Sequence, residues 1–218
     1  MSKPKSETAF AAAKAERDTH MRDVRRQAIL QGAWKVFVRD GLDGATIRAI
    51  AAASGCTTGA VYPLFGSKEL IYAAMLSQSL SRLHDAVAAA MADRSQPHHR
   101  LRAGAIAFVD YYRNRSDEVA LGLYLWNGIR PRGLTRELDR DLNRQLTMTL
   151  DLLGEALVEI GVARGASIRR ATAALFSVLI GALVVAQAGR LRMLGSSLDD
   201  VVESQLELLL SQHQKKKG

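Results

Sequence analysis

A chain of 218 residues, 48% of them hydrophobic, has enough sequence to bury a core and too much apolar content to be disordered throughout. Its formal net charge of +8 suits an acidic partner such as nucleic acid or an anionic membrane surface. The single cysteine, Cys56, excludes an intramolecular disulfide and fits a reducing compartment. No apolar run follows the first charges as a signal peptide would, so the expected location is cytoplasmic.

Residues 1–20 are polar, Ala-rich and charged without a periodic apolar face, so they are expected to form a flexible arm, loose or only partly helical. Lys3, Lys5 and Lys14 could enter a minor groove, but Glu7, Glu16 and Asp18 dilute them, and the arm is taken as a solvated tail. From about Arg22 a helix begins whose apolar face carries Val24, Ile29, Ala33 and Phe37 and which ends at Gly41. Arg22, Arg25 and Arg26 lie on its other side, open to phosphate or simply to water.

Thr46 to Phe65 then shows two short helical patterns separated by the tight break Ala53-Ser54-Gly55-Cys56, a helix-turn-helix signature. Gly55 can take a positive φ there without steric cost. Ile47, Ile50 and Ala51 share a face of the first helix, with Thr46 as its N-cap candidate. Thr57 or Thr58 can cap the second, whose inward side is Val61 and Phe65 and whose other side shows Thr58, Gly59, Ala60 and Tyr62. Small and hydroxylated groups at a helix start let the backbone amides and the positive dipole end approach phosphate closely. Downstream, Ser67-Lys68-Glu69-Leu70 opens a new helix.

Ile29-Leu30, Ala33, Phe37, Gly41, Thr46, Ile50-Ala51, Gly55, Val61-Tyr62, Phe65, Ser67-Lys68-Glu69 and Leu70 together resemble the amino-terminal domain of the TetR/AcrR family of transcriptional repressors, over roughly residues 22 to 72. The resemblance implies that Thr46 caps the first motif helix and bonds a phosphate, and that Arg48 reaches a base edge or the adjacent backbone. It puts Thr57, Thr58, Gly59 and Ala60 at the major-groove end of the recognition helix, and gives Tyr62 and Lys68 phosphates to grip. Pro63 and Leu64 depart from the family pattern, and Pro63 predicts a recognition helix that bends or stops early.

The helix opened by Ser67 should run to about Asp93, joining the DNA-binding part to the rest, with Arg94 to Pro97 as a linker. Beyond it only helices are expected. Phe108, Tyr111, Tyr112, Tyr124 and Trp126 bring together five of the chain's twelve aromatics and are the candidate pocket for a small, largely apolar ligand, with plain core packing as the competing role of each. Arg130 to Gly133 reads as a turn. The following helix carries a seam of Leu146, Leu150, Leu153, Leu157 and Ile160, ending at Gly161.

Residues 171–189 hold no charge and approach the length of a membrane span. Ala173, Ser177 and Gly181, four apart, make a flat strip suited to another helix. With Leu146, Leu150, Leu153 and Leu157 they form the candidate homodimer interface, because the family's last long helices build a four-helix bundle with a partner. The last helix opens with Ser197 as cap.

No P-loop, no GxGxxG and no HExxH occurs, His98 and His99 are adjacent without a ligand-spaced companion, and no catalytic residue, cofactor or metal is expected. The sequence therefore predicts an all-α chain: an arm over 1–20, a three-helix helix-turn-helix domain over 21–72 with its motif at 46–65, and a helical ligand-binding and dimerisation domain over 73–218. The expected activity is that of a homodimeric repressor of a double-stranded DNA operator, released by a small ligand and not attached to a membrane. The alternative is a helical ligand-binding protein held at the membrane by residues 171–189.

Overall fold

The computed structural model describes residues 4–123 and 134–214, all helix and connecting turns, with no strand among the described residues. They fall into two compact units, one through Met75 and the other built from most of the chain after it.

In the first unit, α1 (Pro4–Gly44) is continuous except at Gly41, whose φ of 67° interrupts the helical geometry. Residues 10–25 of this helix are exposed without exception, and burial begins at Ile29. The arm is thus helical from Pro4, where a loose or partly helical segment was expected, because it continues a helix already nucleated by the core-bound stretch behind it. α2 (Ile47–Ala53) and α3 (Thr58–Phe65) follow. Ile29, Ala33 and Phe37 of α1, Ile50 and Ala51 of α2, and Val61 and Phe65 of α3 meet in one core. Phe37 meets Tyr72 edge to face, with ring centroids 5.1 Å apart. Gly32 permits the closest approach: a Cβ there would stand 2.8 Å from the Ser54 amide nitrogen and 2.9 Å from the Ala53 carbonyl carbon. The turn between α2 and α3 therefore rests on the bare backbone of α1.

α4 (Lys68–Ala92) begins in the first unit and continues into the second. There it is joined by α5 (Pro97–Arg113), α6 (Ser116–Gly122), α7 (Arg136–Ile160), α8 (Ser167–Gln187), α9 (Arg190–Met193) and α10 (Leu198–Gln214). Pro97 stands in the first turn of α5, where its missing N–H has no partner to lose. α5 packs on α7 and α8, and α10 on both α5 and α8. Leu83, Leu101, Phe108, Leu153, Leu157 and Leu179 fill the centre of this unit. At Gly104 a Cβ would lie 2.6 Å from Met91 Sδ and 2.7 Å from Leu153 Cδ2, so α5 sits hard against α4 and α7. Ser197 caps α10 reciprocally with Asp200: the Asp200 amide donates to Ser197 Oγ at 3.1 Å, and the Ser197 amide donates to Asp200 Oδ2 at 2.8 Å.

α8 is the one described helix long and apolar enough to cross a membrane, by length and composition only, and 22% of its most apolar window is buried within the chain. Leu175, Leu179 and Leu183 face the core, whereas Ala173 and Ser177 are exposed.

Candidate nucleic-acid interface

The motif at 46–65 is built around its turn. Gly55 adopts a φ of 64°, and a Cβ there would meet nothing within 4 Å, so the position calls for glycine by conformation and not by space. The Cys56 amide closes the turn on the Ala51 carbonyl at 2.9 Å, and the Ser54 hydroxyl donates to the Ile50 carbonyl at 2.6 Å. Cys56 itself is half-buried within that turn.

Thr46 caps α2: its φ and ψ are extended and its Oγ1 accepts from the Ala49 amide at 3.1 Å. Its hydroxyl hydrogen remains free to donate outward, and Arg48 is exposed one helical step further on. At the start of α3, Thr57 occupies the cap position without a side-chain cap bond. The Ala60 amide donates to the Thr57 carbonyl at 3.0 Å, which leaves the amides of Thr58 and Gly59 and the Thr57 hydroxyl for an outside acceptor. Thr58 and Gly59 are exposed, Ala60 is half-buried, and the Tyr62 ring is 55% exposed while Val61 and Phe65 of the same helix are buried. One helix accordingly divides into a face that holds the core and a face of small, hydroxylated and phenolic groups turned to solvent.

Two sequence expectations meet a different local outcome. α3 does not stop at Pro63; it runs to Phe65 and is ended by Gly66 at a φ of 67°. The amide that Pro63 lacks would have paired with the carbonyl of Gly59, which lies in the exposed first turn where water can serve it, so a single helical bond is lost. Lys68 does not extend into solvent. Its Nζ donates to the carbonyls of Asp43 at 3.1 Å and Ala45 at 3.0 Å, satisfying acceptors freed where α1 ends.

Arg26 belongs to the same assembly, with its guanidinium 4.7 Å from the centre of the Phe65 ring. It fastens α1 to the far end of α3, a role that an arginine on a charged helix face does not announce in the sequence.

In the second unit, Phe108 is fully buried and packs edge to face on Tyr112 and Phe176, at 5.5 and 6.1 Å between ring centres. Tyr112 borders a cavity of about 60 Å³ whose polar wall is Ser79, Glu118 and Asn143 and whose apolar wall includes Leu80 and Leu146. Tyr111 stands behind that wall. Its hydroxyl donates to Glu118 Oε2 at 2.8 Å, the Ser79 hydroxyl donates to the same oxygen, and Arg82 and Arg115 stand 3.6 and 3.7 Å from the other. Burial pushes both tyrosine phenols above their ordinary pKa. Tyr124, Trp126 and the turn at Arg130 to Gly133 lie outside the described residues. Ser79, Glu118 and Asn143 escaped the sequence reading because single polar residues on helices look like solvated positions; Glu118, in the first turn of α6, also looks like an ordinary dipole-complementing acid.

Of the candidate dimer residues, Leu153 and Leu157 are wholly inside the chain's own core, Leu146 and Leu150 are half-buried against it, and Ala173 and Ser177 are exposed. A Cβ added to Gly181 would meet nothing within 4 Å. Among the described residues, no three metal-ligating side chains gather as a site.

The fold and this motif define an all-α helix-turn-helix protein with a separate helical domain. Residues 29–75 match the family described as bacterial regulatory proteins, tetR family. The HTH-type transcriptional repressor AcnR of Corynebacterium efficiens is 37% identical over 62 residues, covering 28% of this chain and 33% of that protein. The HTH-type transcriptional activator FasR of Mycolicibacterium smegmatis is 34% identical over 95 residues, covering 44% of this chain and 43% of the relative. The chain thus spans between about a third and a half of the curated relatives it matches. The transcriptional regulator FadR of Bacillus subtilis, solved in complex with stearoyl-CoA, superposes with a TM-score of 0.69 at 19% identity, over 85% of this chain and 97% of that one, which establishes a shared fold. The likeness to the tetR family thus rests on residues 29–75, the stretch that holds α2 and α3.

Proposed function

We propose that this protein is a homodimeric transcriptional repressor that binds a two-fold symmetric operator through paired α3 helices and is released by a small ligand in its second unit. The observation that carries the reading is the division of α3: Val61 and Phe65 anchor it while Thr57, Thr58, Gly59 and Tyr62 remain open. A helix so presented offers unpaired amides and hydroxyls to phosphates and fits close to base edges. Thr46 and Arg48 would contribute contacts beside it. Tyr62 would reach a phosphate, and Lys68 would act by fixing the loop from which Thr46 projects.

The dimer reading is supported by α8. Its strip of Ala173, Ser177 and Gly181 is flat, and the Ser177 hydroxyl already donates to the Ala173 carbonyl at 2.8 Å, so covering the strip strands no polar group. Leu146 and Leu150 on α7 would border it. A membrane span fits less well: Arg169 and Arg170 are exposed within α8, and the uncharged 17 residues that follow reach about 26 Å against a hydrocarbon core of about 30 Å. The face bearing Leu175, Leu179 and Leu183 is also committed to the chain's own core.

For the ligand, the cavity beside Tyr112 favours a small molecule with an apolar body and one group able to donate to Glu118 or Asn143. At about 60 Å³ it must open to take anything larger. α4, common to both units, would carry the response, altering the separation of two α3 helices that must enter major grooves about one turn apart.

The test is selection of a binding site from random duplexes, followed by affinity measurements on that site. The parent should recover a palindromic sequence, and Thr58→Asp, which sets a carboxylate against phosphate, should weaken binding by at least roughly tenfold. Failure of the parent to enrich any sequence would refute the reading.

A further inference from the structure

We propose that residues 10–25 of α1 are a second DNA-contacting element, a helical arm that lies along duplex flanking the site read by α3. The proposal rests on the DNA-binding reading above. Phe10, Lys14, Arg17, Met21 and Val24 follow one another at alternating spacings of four and three, which places them on one stripe of the helix, and Arg25 joins its edge. Glu16 and Asp23, seven apart, lie together on the opposite side. The stripe itself is therefore cationic and apolar, with Glu16 and Asp23 turned away from it and Asp18 and Arg22 on its flank.

The stripe is unoccupied by the chain itself. Phe10, Met21 and Val24 are 69, 56 and 49% exposed. Lys14, Arg17, Arg22 and Arg25 form no ion pair with any described residue, although Asp18 stands four positions from both Lys14 and Arg22. A second copy of the same arm is a poor occupant, because Lys14 and Arg17 interrupt the apolar seam and would confront like charges in a parallel pair. A polyanion matches it: the cations meet phosphates and the apolar side chains cover sugar edges.

The root of the arm selects DNA over other polyanions. Arg26, the next residue, lies over the Phe65 ring at the end of α3, so the arm and the recognition helix are held by one domain and meet the same duplex. Sixteen residues of helix extend about 24 Å, close to the length of seven base pairs.

The experiment uses the full chain, its selected site on a duplex that ends at the site, and the same site with ten base pairs of random flank on each side. Anisotropy titrations are run over a salt series for the parent and for the combined variant Lys14→Gln, Arg17→Gln, Arg22→Gln, Arg25→Gln. The parent should bind the flanked duplex roughly tenfold more tightly at low salt, and the variant should lose that gain. Its slope of log affinity against log salt should fall by about 0.9 for each phosphate released, with preference among sites unchanged. Retained binding of the variant to the short duplex shows that its reading domain is folded. An unchanged slope or an equal loss on both duplexes overturns the arm while leaving the DNA reading intact. A parent that binds no duplex overturns both.

Discussion

Lys68 Nζ stands 3.0 Å from the carbonyl oxygen of Ala45, a residue that is itself buried immediately before the Thr46 cap. A cation that could have been spent on phosphate is thereby tied to the backbone, and with the Asp43 carbonyl it fixes how the chain leaves α1 and enters α2. Lys68→Met should cost about 1–2 kcal/mol of stability in urea titrations, the worth of charge-assisted bonds on a half-exposed group. Any loss of DNA affinity should be recovered when the loop is held by saturating operator. A variant of parental stability that loses only its salt dependence would mean that Lys68 meets phosphate directly.

Gly32 is the second lever on the motif. Because a Cβ there would press on Ser54 and the Ala53 carbonyl carbon, Gly32→Ala must move the turn or the helix beneath it. A penalty of about 1–3 kcal/mol is expected from overpacking, outweighing alanine's better helix propensity. Thermal melts decide between the two, since a stabilised variant would mean the contact relaxes freely.

The two buried phenols set an alkaline limit. Burial raises the Tyr111 and Tyr112 pKa values, so the folded state favours their neutral forms. Their contribution is full below the ordinary phenol value of about 10 and is lost as pH rises above it. Melting temperature should fall as pH rises above about 10, and Tyr111→Phe with Tyr112→Phe should flatten that fall while removing the Tyr111 bond to Glu118. An identical alkaline profile in the double variant would shift the cause away from these two phenols.

Gly181→Arg addresses the pairing of chains. A Cβ at that position meets nothing within 4 Å in this chain, so the fold of the single chain should survive, as retained helical circular dichroism would show. Sedimentation velocity should report monomer where the parent reports dimer. A dimer that persists would move the interface away from the strip of Ala173, Ser177 and Gly181.

Much of the helix-turn-helix domain was legible because its signals are local. A cap at Thr46, a left-handed glycine at position 55 and apolar residues three and four apart each depend on a few neighbouring residues; the structure keeps the cap, the glycine and the burial of Ile29, Ala33, Phe37, Ile50, Ala51, Val61 and Phe65, while Val24, expected on the same apolar face, is exposed because it lies ahead of the first packed turn. What escaped depends on residues distant in the chain. The bond from Lys68 to Ala45, the stacking of Arg26 on Phe65 and the pressure of Gly32 on Ser54 arise only once three helices have met. In the second unit the aromatic count pointed to a pocket, yet Phe108 serves the core, while the polar wall of the cavity comes from Ser79, Glu118 and Asn143 on three separate helices. The leucine seam on α7 likewise proved to be shared between the chain's own interior, at Leu153 and Leu157, and the half-buried Leu146 and Leu150.

Since burial in the first unit begins only at Ile29 and Arg26 on the Phe65 ring precedes it, everything ahead of Arg26 is structurally dispensable to that unit's core. Trypsin, which cuts after Lys14, Arg17, Arg22 and Arg25, could strip the overhang and leave a remnant with its hydrophobic interior whole. Changes of length or sequence in this overhang should therefore leave the unit's interior intact, which frees its residues to be shaped by contacts outside the chain.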